Sequence, residues 1–172
     1  IPKNCEQIQE GAFFECTFLN TIEFTDDSKL KSIEEKAFSK SSLKTINIPK
    51  HVKIIGKDAF SKCSLLINVK FHKNSELNSI GEQSFMNSSL IDIKIPDNVK
   101  QIDKRAFYEC INLRNVELSK NSNLVSIEYE TFYHTSISSI FIPSKTKYIQ
   151  PHAFVNCYNL SKVKFANKSE LF

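Results

Sequence analysis

The chain is poor in the features that mark several common protein classes. It has 172 residues but only three glycines, and it lacks the glycine-rich loop that cradles phosphates in nucleotide-binding proteins. No apolar run approaches the roughly 20 residues that a membrane-spanning helix needs. The 23 basic and 19 acidic residues are mixed without a block of like charge, which argues against a nucleic-acid interface. The composition, with 41% apolar and 24% charged residues, is that of a globular protein.

Signatures of metal binding and catalysis are also missing. The sequence has no Cys-x-x-Cys pair, and the four histidines, at residues 51, 72, 134 and 152, share no ligand spacing. No serine, histidine or aspartate falls into a recognisable nucleophile–base arrangement. We therefore expect a protein that has no enzymatic activity and needs neither a metal nor a cofactor.

The chain does contain an internal repeat, which runs from end to end. Each unit carries an isoleucine followed four and five residues later by a small residue and a phenylalanine, as in Ile55, Ala59 and Phe60. The seven phenylalanines of this motif lie alternately 25 and 22 residues apart, at Phe13, Phe38, Phe60, Phe85, Phe107, Phe132 and Phe154. Such a fixed period is the signature of a repeat architecture. The complete repeat is a pair of one long and one short unit, 25 plus 22 or 47 residues.

Both kinds of unit end in a pattern that favours a short β-strand. Long units read Phe-x-x-Cys-x-x-Leu-x-x-(Ile/Val)-x-(Phe/Leu), and short units close the same segment with Pro49, Pro96 or Pro143. Alternating β-branched residues predict one strand per unit, and proline belongs where the chain leaves the sheet. At 22–25 residues, each unit is one coil of a solenoid with parallel strands. We expect seven coils in one domain, residues 1–172, and the opposite wall is left open as helical, 3₁₀ or extended.

Two segments carry a resemblance to a known family. Residues 55–63 read Ile-Gly-Lys-Asp-Ala-Phe-Ser-Lys-Cys, and residues 95–99 read Ile-Pro-Asp-Asn-Val before Ile102. They resemble the opening and the close of the BspA-like class of leucine-rich repeats, and seven concordant units extend the resemblance over the chain. The chain departs from the family pattern because the consensus is divided between the two kinds of unit, so that its cysteine appears in long units and its strand-ending proline in short ones. Only Gly56 and Gly81 fill the family's glycine slot, so we expect the other units to make a tight turn there without glycine.

The resemblance implies a role in protein recognition. Proteins with this repeat are associated with the surfaces of mucosal bacteria and parasitic protists, with adhesion and with the binding of host proteins. The expectation is a non-enzymatic, adhesin-like module, at the cell surface or outside the cell, that binds a host or neighbouring protein through its sheet face. The alternative is an intracellular, cytoplasmic scaffold, to which unpaired cysteines are suited. Because the chain begins Ile1-Pro2 and ends in mid-pattern, we expect it to be a piece of a longer repeat array.

Four of the five cysteines occupy one position of the long units, at Cys16, Cys63, Cys110 and Cys157. Equivalent residues two coils apart lie about 10 Å from each other, beyond the roughly 7 Å between Cα atoms that a disulfide allows. We expect a structural ladder of unpaired, interior thiols. Cys5 falls in the slot of Val52 and Val99 and is expected in the core as well.

The outward side chains of the strands are the candidate binding surface. In order along the stack they include Lys70, Asp92, Lys94, Glu117, Phe141 and Lys164. An aromatic residue among polar neighbours, as at Phe141, is typical of an interface anchor. Lys70 and Lys94 are expected on adjacent strands, a like-charge contact that Asp92, Glu117 or an acidic partner would offset.

Three Asn-x-Ser sequons add candidate glycosylation sites at Asn87, Asn159 and Asn167. Asn87 is the favoured one, because we expect it in a loop.

Overall fold

The computed structural model describes residues 1–167, which wind into seven coils stacked along one axis. Among these residues the fold consists of parallel β-strands and turns, with no helix. We number the coils 1–7 from their isoleucines, Ile8, Ile33, Ile55, Ile80, Ile102, Ile127 and Ile149. Odd-numbered coils are the long units and even-numbered coils the short ones. The predicted leucine-rich-repeat solenoid with parallel strands is confirmed.

A continuous stack of phenylalanine rings fills the centre of the solenoid. The rings of Phe38, Phe60, Phe85, Phe107 and Phe132 are fully buried. Each lies nearly parallel to the next, with centroids 5.3 or 5.4 Å apart. Phe13 and Phe154, in the end coils, are half-buried because each has a neighbouring ring on one side only. The stack therefore holds the seven coils at an even spacing.

Each coil contributes a two-residue strand ending at its isoleucine, which the sequence analysis did not predict. These strands are β1 (Gln7–Ile8), β2 (Ser32–Ile33), β4 (Ile54–Ile55), β6 (Ser79–Ile80), β8 (Gln101–Ile102), β10 (Ser126–Ile127) and β12 (Tyr148–Ile149). They pair in parallel as one seven-stranded sheet. The expectation of one strand per coil is thus an undercount, because a two-residue strand is too short to show an alternating pattern.

The strands that were predicted form a second wall, which we call the strand wall. They are β3 (Thr45–Ile48), β5 (Asn68–Phe71), β7 (Asp92–Lys94), β9 (Asn115–Glu117), β11 (Ser139–Ile142) and β13 (Lys162–Phe165). In β3, Thr45 and Asn47 are exposed while Ile46 and Ile48 are buried, so the predicted alternation is present. The strand expected in coil 1, at residues 21–24, does not form.

The strand wall is divided into pairs of strands. Four positions pair β3 with β5, three pair β7 with β9, and four pair β11 with β13. By contrast, a single position pairs β5 with β7, and β9 and β11 belong to separate sheets. Every extensive pair joins a short coil to the long coil after it. Residues 21–24 belong to a long coil that is followed by a short one, so they lie at a junction of the weakly paired kind. This explains why no strand forms there.

Proline accounts for part of this asymmetry. At the end of the strand, the N–H of His72 in coil 3 donates to the carbonyl of Ile48 in coil 2 at 3.1 Å. The equivalent residue of each short coil is Pro49, Pro96 or Pro143, which has no N–H to donate to the preceding long coil. Long-to-short junctions therefore lack the bond that closes the junctions of coils 2 and 3 and of coils 6 and 7, where Ala166 donates to the carbonyl of Ile142 at 3.0 Å.

Hydrogen bonds at the start of the strand show the same asymmetry. Just before each strand lies a core leucine or isoleucine, such as Leu66 in coil 3. The residue after it donates its N–H to the carbonyl of the equivalent residue in the preceding coil. At short-to-long junctions the N···O distance is 2.8–3.0 Å, from Ile67, Arg114 and Ser161. At long-to-short junctions it is 3.2–3.4 Å, from Lys44, Ile91 and Ser138. Both ends of the strand are therefore held more loosely where a long coil precedes a short one.

Opposite the strand wall lies a turn wall, which runs in each coil from the isoleucine to the cysteine position. It is neither helical nor extended, because each coil makes two tight turns with a left-handed residue in each, at φ of 53–62°. Polar residues fill all but one of these positions, and Gly11 is the exception. Gly56 and Gly81 serve another purpose, since a Cβ at either would lie 2.7 Å from backbone of the neighbouring coil. The expected tight turn does begin at this slot in units without glycine, as in the bond from the N–H of Ala37 to the carbonyl of Glu34 at 3.2 Å, and at Gly56 and Gly81 the slot is also a point of close approach.

Candidate functional site

Two concavities lie on the strand wall, each at a long-to-short junction. Trough A has a volume of about 480 Å³ and is lined by residues 22–26, 47–50 and 70–72. Trough B has a volume of about 790 Å³ and is lined by residues 68–75, 92–98, 115 and 117. Trough B opens where β5 and β7 part after their single paired position, Asn68 and Asp92. Pro49 lines trough A and Pro96 lines trough B, so each trough contains the residue that leaves its junction open.

Trough B combines apolar surface with a polar rim. Its exposed apolar surface comes from the half-buried Phe71 and Pro96, because the side chains of Val69, Ile93 and Ile95 are buried in the core. The rim carries four exposed side chains, from Lys70, Asp92, Lys94 and Glu117. These are four of the six binding residues that the sequence predicted, and the structure brings them around one depression. A buried apolar centre within a polar rim is the usual anatomy of a protein-binding surface.

Phe71 is a further member of the site that the sequence analysis missed. With Lys70 and His72 it lines both troughs, and it remains half-buried. The alternation along the strand predicts an inward, buried side chain at this position, as short coils have in Ile48, Ile95 and Ile142. Long coils carry a larger phenylalanine there, at Phe24, Phe71 and Phe165, except in coil 5, which has Leu118. This difference in size between long and short coils was the signal for an exposed aromatic side chain, because a ring too large for the position leaves part of its surface in the trough.

The two lysines of trough B differ in their charge partners. Lys94 forms an ion pair with Glu117 on the neighbouring strand, and this hydrogen bond raises the pKa of the Lys94 ammonium. Glu117 is one of the two internal counter-charges that the sequence predicted. Lys70 has no ion-pair partner within residues 1–167, and the same holds for Lys50 and Lys73 at the sides of the troughs. The uncompensated positive charge is therefore centred on the segment between the troughs.

Phe141 and Lys164 lie apart from these four residues. They face each other across the β11–β13 pair, beyond the linings of both troughs. Lys164 is exposed, whereas Phe141 is half-buried. The phenylalanine shared by both troughs is consequently Phe71, and Phe24 also lines trough A.

The cysteine column alternates with hydroxyl residues. Short coils place Ser41, Ser88 and Thr135 at the position where long coils place cysteine. The thiols of Cys63, Cys110 and Cys157 each donate to a phenylalanine carbonyl of the preceding coil at 3.0 Å and contact the hydroxyl there at 3.3–3.5 Å. Burial raises the pKa of Cys110 to about 11. All five cysteines are free; Cys63 and Cys110 are buried, while Cys5, Cys16 and Cys157 are half-buried. Within residues 1–167 no cluster of side chains could hold a metal ion.

The three sequons lie in different surroundings. Asn87 is half-buried in a left-handed turn, and its N–H donates to the carbonyl of Tyr108 at 2.9 Å. Asn159 and Asn167 are exposed, and the Ser169 of the last sequon is outside the described residues.

The turn wall carries a tyrosine cluster that the sequence analysis did not single out. The rings of Tyr108 and Tyr133 stack at 4.7 Å, and the Arg105 guanidinium lies over both Tyr108 and Tyr129. Tyr158 is 81% exposed. The signal for this cluster was available, because all five tyrosines occur between residues 108 and 158. It forms a second surface, remote from the strand wall, against which the troughs can be tested.

Comparison with solved structures places the fold among leucine-rich-repeat proteins. The chain is similar to a leucine-rich repeat protein from Bacteroides ovatus, with a TM-score of 0.68, 23% identity and coverage of 99% of this chain and 61% of that one. It is also similar to the pneumococcal vaccine antigen PcpA, with a TM-score of 0.62, 19% identity and coverage of 98% and 62%. A leucine-rich cell surface protein from Faecalibacterium prausnitzii gives a TM-score of 0.51, 23% identity and coverage of 97% and 59%. The chain therefore spans about three fifths of each of these structures.

No curated protein matches the sequence. In the described part of the chain, no helix is long and apolar enough to cross a membrane.

The family comparison covers nearly the whole sequence. A profile described as BspA type leucine rich repeat region, with six copies of the repeat, matches residues 1–87 and 78–171. The matched segments include the two walls and both troughs. The chain therefore belongs to the BspA-type leucine-rich repeat family.

Proposed function

We propose that the chain is a non-enzymatic, adhesin-like recognition module that binds a host or neighbouring protein through the outer face of the strand wall. The observation that carries the proposal is trough B, a depression with the half-buried Phe71 and Pro96 in its lining and Lys70, Asp92, Lys94 and Glu117 on its rim. Leucine-rich-repeat domains generally mediate protein–protein interaction and are typically non-enzymatic. The stacked core keeps the wall rigid, so little ordering entropy is lost on binding.

A location at the cell surface is part of the proposal. Of the similar structures, one is described as a cell surface protein and another as a vaccine antigen. Those descriptions belong to the other proteins, and they support a similar location here. Glycosylation at Asn87, Asn159 or Asn167 remains a prediction that goes with this location.

A second candidate is an intracellular scaffold that uses the same strand wall. The five free cysteines favour it, because unpaired thiols persist more readily in a reducing compartment. Labelling intact producing cells with a membrane-impermeant biotin reagent separates the two candidates. Biotinylation of the protein on intact cells supports the surface module, and biotinylation only after lysis supports the scaffold.

Binding is tested by surface plasmon resonance against purified extracellular-matrix proteins and neighbouring surface proteins. For a protein that binds, Lys94→Glu should slow association at low salt, since exposed charges mainly steer encounter. Phe141→Ala should cost about 2 kcal/mol of binding free energy if the contact extends to β11. Tyr158→Ser, at the end of the turn wall and outside both troughs, is the matched control and should bind normally. Loss of binding in the control, with both strand-wall variants unaffected, would move the site to the turn wall.

A further inference from the structure

Troughs A and B are successive elements of one periodic surface. Each lies at a long-to-short junction, and the ridge Lys70–Phe71–His72 belongs to both linings. One double repeat separates the two junctions. The phenylalanine rings of successive coils are 5.3 Å apart on either side of Phe60, and parallel strands are spaced by about 4.8 Å. Equivalent points in the two troughs are therefore roughly 10 Å apart along the solenoid axis.

The charges along this surface are arranged with the basic residues in the middle. Lys50, Lys70 and Lys73 are exposed around the ridge and have no ion-pair partner among residues 1–167. Acidic side chains lie toward the two ends, from Glu23 and Asp26 in trough A and from Asp92, Asp97 and Glu117 in trough B, the last of which is paired with Lys94. Half-buried apolar side chains lie in each trough, Phe24 and Pro49 in trough A and Phe71 and Pro96 in trough B. A ligand along the surface should therefore be apolar at two points about 10 Å apart and acidic between them.

A second copy of the chain does not meet this requirement. If two strand walls met antiparallel about a two-fold axis at the ridge, the ridge lysines of both copies would lie together. The acidic end of trough A would then face the acidic end of trough B. Like charges in both places oppose association, because unpaired like charges across an interface cost several kcal/mol.

Among regular peptide conformations, the α-helix meets the requirement best. Seven helical residues rise 10.5 Å, so side chains at i and i+7 reach both troughs from one face. Those at i+3 and i+4 lie between them on that face and point at the ridge. A polyproline helix rises about 9.3 Å in three residues but has no residue between i and i+3 on the same face. In a β-strand, residues i and i+3 point to opposite sides.

We propose that troughs A and B hold an acidic amphipathic α-helix of the partner protein, lying along the solenoid axis. Apolar side chains at i and i+7 fill the two troughs on either side of Phe71. Carboxylates at i+3 and i+4 pair with Lys70 and Lys73. This inference rests on the proposed function of the strand wall and adds the chemical class of its partner.

Fluorescein-labelled peptides of about 18 residues, long enough to be partly helical, test the proposal by fluorescence anisotropy. The first peptide carries leucines at i and i+7 with glutamates at i+3 and i+4. The second has the same composition with the second leucine moved to i+5, on another face of the helix. The third has lysines in place of the two glutamates, and the fourth is a polyproline segment with leucines at i and i+3. We expect the first peptide to bind at least about tenfold more tightly than each of the others, and to weaken as salt rises.

Charge reversal in the protein provides the decisive comparison. In the double variant Lys70→Glu/Lys73→Glu the preference should invert, so that the lysine peptide binds at least about tenfold more tightly than the glutamate peptide. Lys120→Glu, an exposed change outside the linings of both troughs, should leave the order unchanged. Circular dichroism confirms that both variants are folded.

The possible failures are distinguishable. Equal binding of the first two peptides, absence of binding by the first, tighter binding of the polyproline peptide, or no inversion in the double variant overturns the helix proposal. The proposed function survives those results if a protein found by the plasmon-resonance screen still loses affinity for the Lys94→Glu or Phe141→Ala variant. It fails if that protein binds both variants normally and loses affinity for Tyr158→Ser.

Discussion

Short-to-long and long-to-short junctions are alike in the core and on the turn wall but differ on the strand wall. The phenylalanine stack and the ladder of two-residue strands cross both kinds of junction without a break. On the strand wall, pairing covers three or four positions at short-to-long junctions and one or none at the others. Three extra residues per long coil thus alter one side of the solenoid only. The core has the period of one coil, whereas the strand wall has the period of two.

The cysteine column follows the same division. The thiol–hydroxyl contacts Ser41–Cys63, Ser88–Cys110 and Thr135–Cys157 all join a short coil to the next long coil. An intervening hydroxyl residue also keeps successive thiols two coils apart. The 47-residue unit is therefore best described as a short coil bonded to the long coil that follows it, with a looser seam before the next pair.

The largest effect should come from the shared core. Phe60→Ala should lower the free energy of unfolding by about 3–5 kcal/mol, because the ring is fully buried between two others. Phe13→Ala should cost clearly less, since Phe13 is half-buried in coil 1. Urea denaturation measures both variants. Equal losses would contradict a stack whose end coil has one neighbour.

The close backbone approach at the glycine slot tests whether the turn wall is equally tight at both junctions. Gly56 meets the preceding short coil and Gly81 the preceding long coil, each with 2.7 Å between an added Cβ and the nearest backbone atom. Gly56→Ala and Gly81→Ala should each cost about 1–3 kcal/mol from overpacking. Thermal or urea unfolding supplies the comparison. A much smaller cost for Gly81→Ala would show that long-to-short junctions are looser on the turn wall as well as on the strand wall.

The cysteine column should make stability depend on pH in the alkaline range. The folded state holds the pKa of Cys110 at about 11, compared with 9.0 for an ordinary thiol. The unfolded thiol therefore ionises first, and stability that is complete below pH 9 declines as pH rises toward 11. The slope should reach about 1.4 kcal/mol per pH unit for this group. Urea denaturation of the wild type and Cys110→Ala isolates it, and parallel pH profiles for the two proteins would refute the effect.

Thiol accessibility should rank the cysteines by burial. Native alkylation should label the half-buried Cys16 and Cys157 before the buried Cys63 and Cys110. Alkylation under denaturing conditions without reductant should label all five cysteines, as peptide mass spectrometry can show. A disulfide in that experiment would contradict the spacing of the column.

The sequence predicted what depends on repetition. The period of the phenylalanines, the alternation of residues such as Ile46 and Asn47, and the parallel stacking all follow from patterns repeated along the chain. The troughs could not be predicted from repetition, because they form where hydrogen bonds are missing at Pro49 and Pro96 and where strands such as β5 and β7 diverge. Phe71 was missed for a related reason. Whether an apolar residue at a core position is fully covered depends on coil size, which the local pattern does not record.

Hydrogen exchange of the strand-wall amides tests the difference between the two junctions most directly. The amides of Ile67 and Arg114 donate across short-to-long junctions at 3.0 and 2.8 Å, and those of Lys44 and Ile91 donate across long-to-short junctions at 3.2 and 3.3 Å. Native-state exchange followed by NMR should show Ile67 and Arg114 to be at least about tenfold better protected than Lys44 and Ile91. Equal protection of the two sets, or better protection of Lys44 and Ile91, would contradict the division of the strand wall into pairs.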